Sequence, residues 1–168
     1  MKQILCFGDS NTYGLIPGTK ERYSWEKRWT GILGEKIKAK GVRVVEEGLC
    51  GRTTVFEDEL RENRKGVEAL PMLLETHAPL EKVVLMLRTN DCKTVYQASA
   101  EVIFDPEFSQ ESVETSKRLK RVYQQIAEKN RCKFLAVSDY AKANEADRQH
   151  LDKDGHRRLA EAMYRKIT

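Results

Sequence analysis

No stretch of the 168 residues approaches the roughly 18 consecutive apolar residues that cross a membrane, so no membrane span is expected. The apolar start, Ile4 to Phe7, is too short for a secretory signal and runs directly into Gly8. Cysteine is sparse. Cys6, Cys50, Cys92 and Cys132 lie far apart with no C-x-x-C pair, which argues against a zinc site and for reduced thiols in a cytoplasmic protein. Neither sign of charge dominates. Lys and Arg number 30 against 26 Asp and Glu, a net charge of +4 without long runs, so no dedicated nucleic-acid surface is expected. No internal repeat, low-complexity tract or linker divides the chain, and one domain over residues 1–168 is expected. Histidine is scarce too: only His77, His150 and His156 could serve a chemistry that needs an imidazole.

The residues present suffice for a core, since 40% are hydrophobic. Ile4 to Phe7, Val42 to Val45, Val83 to Leu87 and Cys132 to Val137 read as short buried strands. Helical spacing joins Trp25, Trp29, Ile32, Leu33 and Ile37 behind a Ser24 cap, with Gly41 as a stop. It recurs in Val67, Leu70, Leu73 and Leu74, where Pro71 should break or open the helix, and over Ser116 to Ile126. A last helix carries Leu159, Ala160, Met163 and Ile167 inward, with Asp154 as its cap. Strands alternating with helices predict a three-layer α/β/α sandwich around a mainly parallel, flavodoxin-like sheet. Ligands of such sheets bind outside the carboxyl ends of the strands.

Three loops with unusual chemistry leave those ends. In Gly8-Asp9-Ser10-Asn11 a serine at a tight turn can project its hydroxyl from the sheet, although these residues are also ordinary turn formers. In Glu47-Gly48-Leu49-Cys50-Gly51-Arg52-Thr53-Thr54 two glycines allow backbone to approach a ligand, or simply make a turn. In Thr89-Asn90-Asp91 the Asn90 amide can donate to a developing oxyanion, or close the strand as an Asx turn. Asp147 and His150, three residues apart, can supply a base and its orienting acceptor from one loop. His77, before Ala78-Pro79, reads as a surface residue, and His156 as a structural one.

Together and in this order, the four segments resemble the GDSL/SGNH hydrolase superfamily, whose four blocks carry a Ser, a Gly, an Asn and a His. Here these fall on Ser10, Gly48, Asn90 and His150, with the family's Asp on Asp147. The arylesterase-like branch is the most similar, through Gly8-Asp9-Ser10-Asn11-Thr12-Tyr13-Gly14, Arg28-Trp29, the Glu47 to Thr54 block and Leu151-Asp152-Lys153-Asp154-Gly155-His156. The resemblance implies a serine esterase, lipase or acylhydrolase of small carboxylic esters that passes through an acyl-serine. Ser10, His150 and Asp147 would form the triad. The Ser10 and Gly48 N–H groups and the Asn90 amide would form the oxyanion hole, and Asp9, Asn11 and Arg88 are candidates for substrate contact. It implies no metal and no organic cofactor.

Two departures from the family pattern stand out. Arg88 occupies the usual glycine of a Gly-x-Asn-Asp block, so its side chain lies either near the substrate pocket or in solvent. Residues 95–109 are too short for the strand-helix unit found there in the family, with residues 98–104 as its remnant. Four main strands instead of five are expected. Either Cys132 to Val137 pairs directly with Val83 to Leu87, or a second copy of the chain fills the gap in a homo-oligomer. Both departures leave open an alternative: a catalytically impaired homologue that binds a small ligand or serves in assembly.

Overall fold

The computed structural model describes residues 2–87, 89–93 and 110–168. The expectations for Arg88 and for residues 98–104 fall outside them.

β1 (Lys2–Gly8) is the central strand because both its faces are apolar. Ile4 and Cys6 point to one side and Leu5 and Phe7 to the other, all at most 3% exposed. β2 (Val42–Gly48) and β3 (Lys82–Met86) flank it in parallel, in the order β2-β1-β3. Ile4 and Cys6 pack on Trp29, Leu33 and Ile37 of α2 (Trp29–Lys38) and on Leu159, Ala160 and Met163 of α5 (Lys153–Ile167). Leu5, Phe7 and Val45 pack on Ala69, Leu70, Leu73 and Leu74 of α3 (Gly66–Thr76). This is the three-layer α/β/α arrangement, with period-2 strands feeding apolar helix stripes on either side. The register sets Gly8 level with both Gly48 and Met86, so the three carboxyl ends finish together.

α1 (Ser10–Tyr13) is a single turn directly after β1, and α4 (Gln110–Lys129) is the longest helix described. Among the described residues no helix is long and apolar enough to cross a membrane.

β3, read as a buried strand, leaves Val83 40% and Leu85 59% exposed. Four further local expectations differ from the structure. Ser24 precedes only a 3₁₀ turn, Trp25–Lys27, because its hydroxyl bonds Glu26 and Arg28 is extended; α2 begins at Trp29. α3 runs unbroken through Pro71, since the lost ladder bond is outweighed by the apolar stripe that holds the helix on the sheet. The cap of α5 is Asp152, whose carboxylate accepts the Gly155 N–H at 2.8 Å. Asp154 already lies inside the first turn, where it pairs with Arg157 and Arg158.

The fourth difference concerns the sheet, which has three strands among the described residues. Cys132 to Val137 does not pair with Val83 to Leu87: residues 132–136 join no ladder, and a 3₁₀ turn, Val137–Asp139, follows. Leu135 and Val137 nevertheless pack against the Ile4 and Trp29 side of the core. An apolar run reports burial of side chains, and burial alone does not align a backbone with a strand edge.

Candidate active site

Ser10 opens α1, and the turn that presents it is held from both ends. Asp9 is the N-cap, accepting the Asn11 N–H at 3.0 Å, and its own N–H donates to Met86 O at 3.3 Å. Gly14 closes the turn at φ +83°. Gly48, level with Gly8, lies beneath α1 so closely that a Cβ there would overlap Tyr13 N. Glu46 clamps the far end of α1: it receives Arg22, Arg28 and Thr30, while Arg22 Nε donates to Tyr13 O at 2.7 Å.

The loop before α5 brings up the second half of the site. His150 Nε2 lies 2.9 Å from Ser10 Oγ, and His150 Nδ1 lies 2.8 Å from Asp147 Oδ2. Asp147 Oδ1 accepts the N–H groups of Gln149 and His150 at 3.0 Å each, and Oδ2 accepts that of Gly18 at 2.8 Å. Partial burial pushes the Asp147 carboxyl up, but these hydrogen bonds outweigh it and hold the group below the ordinary carboxylate value. Asp147 is therefore a fixed anion that sets the orientation of the His150 ring.

Asn90 sits in a 3₁₀ turn, Thr89–Cys92, and its Nδ2 donates one hydrogen to Arg52 O at 3.0 Å. Its neighbour Asp91 accepts Thr54 N–H at 2.9 Å and the Thr54 hydroxyl at 2.5 Å. Arg52 is 5% exposed: its guanidinium lies 4.1 Å from the centre of the Phe7 ring and donates to Gly8 O at 2.8 Å and to Glu47 O. One buried cation thus ties the ends of β1 and β2 to the turn that carries Asn90. Sequence reasoning passed over Arg52, Asp91 and Glu46. Their only signal was a place in, or next to, the blocks around Gly48 and Asn90, and nothing local marks a charged side chain as directed inward.

Asp9 and Asn11, candidates for substrate contact, are both buried with inward partners. Asn11 Oδ1 accepts the Leu151 N–H at 2.9 Å, and its Nδ2 donates to Gln149 O at 3.3 Å. In this geometry the pair builds the site, Asp9 by capping α1 and Asn11 by joining the Ser10 turn to the His150 loop. Burial raises the Asp9 carboxyl to about 6.

The other two histidines stand apart. His77 caps the C-terminus of α3, 2.9 Å from Glu47 Oε1. His156 is fully buried, accepting the Trp29 N–H at Nδ1 across 3.3 Å. Among the described residues its Nε2 has no hydrogen-bond partner, Tyr23 packs edge-on against it, and burial lowers its pKa to about 4. It is a core residue.

A serine hydroxyl in contact with an oriented imidazole, next to the first N–H of a helix, is equipped for acyl transfer. Solved structures share the fold of this chain. One is 34% identical over 99% of this chain and 97% of its own, at TM-score 0.90. A carbohydrate acetylesterase from Sinorhizobium meliloti is 27% identical over 99% and 98%, at TM-score 0.90. The aryl esterase of M. smegmatis is 26% identical over 99% and 98%, at TM-score 0.89. No protein-family model and no curated protein matches the chain.

Proposed function

We propose that this chain, which belongs to the GDSL/SGNH hydrolase superfamily, hydrolyses small carboxylic esters with Ser10 as its nucleophile. The observation that carries the reading is the continuous relay from Ser10 Oγ through the His150 ring to Asp147, at 2.9 and 2.8 Å, above the strand ends.

Ser10 Oγ attacks the ester carbonyl carbon as its proton passes to His150 Nε2. The carbonyl oxygen becomes an oxyanion facing the N–H groups of Ser10 and Gly48 and the second amide hydrogen of Asn90, the first being held by Arg52 O. Collapse of the intermediate breaks the carbon–oxygen bond, and the alcohol leaves with the proton from His150. Water then gives a proton to His150 and attacks the acyl-serine, and the acid departs as Ser10 recovers its proton. Asp147 keeps the imidazole in the tautomer that accepts at Nε2. Ser10, His150 and water carry every proton, so the cycle invokes no metal or cofactor.

The similar carbohydrate acetylesterase and aryl esterase suggest a short acyl group, acetyl first, on a sugar or aryl alcohol. No disulfide joins the four cysteines, and we place the protein in the cytoplasm on that basis. Hydrolysis of p-nitrophenyl acetate and labelling by a fluorophosphonate test the reading. Both should occur in the wild type, and Ser10→Ala should lose the labelling and nearly all of the hydrolysis. A folded wild type that neither turns over the ester nor takes up the label would instead be a binding protein.

A further inference from the structure

Two guanidinium groups lie beside the turn that follows β2 without a carboxylate to neutralise them. Arg64 Nε donates to Cys50 O at 2.9 Å and its Nη1 to Glu62 O at 2.7 Å, both backbone carbonyls. Arg61 Nη1 lies against Gly51, 3.0 Å from where a Cβ would stand. Among the described residues neither arginine makes an ion pair, unlike most cations nearby; buried Arg52 likewise donates to backbone carbonyls. Arg22 and Arg28 share Glu46, Lys65 faces Glu57 and Glu68, and Lys93 faces Asp58. The carboxylates of Glu59 and Glu62, on the same loop, form no ion pair with either guanidinium among the described residues.

This turn adjoins the reacting centre. Leu49 N–H donates to Gly8 O at 3.1 Å, Arg52 O accepts Asn90 Nδ2 at 3.0 Å, and Cys50 is separated from Gly48 by at most about 7 Å of backbone. Asp9, next to Ser10, and both arginines all act electrostatically on the half-buried Cys50 thiol. The two cations therefore flank the turn that leads from the Gly48 end of β2 toward Asn90, at the strand ends that carry Ser10.

We propose that Arg61 and Arg64 form a subsite for an anionic group on the alcohol portion of the ester. The proposal rests on the reading of Ser10 as an esterase nucleophile for short acyl groups, which leaves the alcohol portion to carry the charge. An unpaired guanidinium presents a planar fork of donors that matches a carboxylate, and two of them on one turn attract an anion more strongly than either alone.

Two acetate esters test this: 4-acetoxybenzoate, which carries a carboxylate, and phenyl acetate, which is neutral. The readout is the ratio of their kcat/KM values in each variant divided by the wild-type ratio, which cancels leaving-group reactivity. Arg61→Ala should lower the ratio roughly threefold and Arg61→Glu on the order of tenfold, mostly through KM. Arg61→Lys should restore most of it, and high salt should flatten the differences. A ratio unchanged in Arg61→Glu overturns the subsite. Binding of 4-acetamidobenzoate and acetanilide to Ser10→Ala, measured by calorimetry, keeps the two readings separable. Should the wild type hydrolyse neither ester, the esterase reading fails while binding still decides the subsite. Preferential binding of the carboxylate that is lost on adding Arg61→Glu supports it, and equal binding of the two amides overturns it.

Discussion

The Leu151 N–H donates to Asn11 Oδ1 at 2.9 Å, joining residues 140 positions apart. Because Asn11 Nδ2 also bonds Gln149 O, one side chain adjacent to Ser10 holds the backbone on both sides of His150. Asn11→Ala should strand a buried N–H at a cost of about 1–3 kcal/mol. It should also lower kcat on the order of tenfold or more by letting the His150 ring drift. Urea unfolding and steady-state kinetics check both. Wild-type kcat in a destabilised variant would mean that Asp147 alone positions the loop.

Removal of the reacting groups separates chemistry from scaffold. Ser10→Ala and His150→Ala should each reduce ester hydrolysis by several orders of magnitude, leaving a residue from the oxyanion donors. His77→Ala, whose ring contacts Glu47 instead of Ser10, should cost less than about tenfold. Near-wild-type turnover in His150→Ala would require another base.

Acidification should reduce activity through an imidazole. Asp147 is held below the ordinary carboxylate value, so it stays charged as pH falls toward 5. A histidine base loses its acceptor when protonated, so activity should fall in the acid range. The Asp9 carboxyl, at about 6, titrates in the same range. Asp9→Asn retains an N-cap side chain and distinguishes them: the acid limb of kcat/KM should persist in this variant. Its disappearance would assign the limb to Asp9.

Two buried groups should oppose each other in stability. The folded pKa of His156 is about 4 against an ordinary 6.5, so its contribution is complete above pH 6.5 and is lost as pH falls through 4. The folded pKa of Asp9 is about 6 against 3.8, so its contribution is complete below pH 3.8 and is lost as pH rises through 6. At about 1.4 kcal/mol per pH unit, each gap amounts to on the order of 3 kcal/mol. Between pH 7 and 4 the two largely offset. Asp9→Asn should lose stability steeply over that range and His156→Gln should gain, as read by denaturant midpoints. Parallel pH profiles in the two variants would contradict the opposition.

Two glycines should respond in opposite directions to the same added methyl. Gly48→Ala drives its Cβ into Tyr13 N and should cost about 1–3 kcal/mol together with most of the activity, because α1 must lift. Gly34→Ala, within α2, places its Cβ 3.4 Å from the Trp25 ring and meets no backbone. It should stabilise by about 0.5–1 kcal/mol through helix propensity. Thermal unfolding of the pair checks the contrast.

The sequence by itself determined a great deal about this protein. Ile4 to Phe7 is apolar at every position, which only a strand covered on both faces explains, and β1 is central. Asp147 and His150 stand three apart, close enough for one turn to bond them through ring and backbone together. Such features are legible because local spacing reports which face of an element is buried and which neighbours can touch. What the tertiary structure alone decided are relations that no local spacing encodes. Leu135 and Val137 partly bury their side chains without joining the sheet, because packing against the core does not require alignment with a strand edge. Arg52 turns inward over Phe7 because two carbonyls, Gly8 O and Glu47 O, converge there only once β1 and β2 are paired. Ser10 meets His150 across the whole chain because the crossovers return every strand in the same direction, so loops remote in sequence open at one end of the sheet.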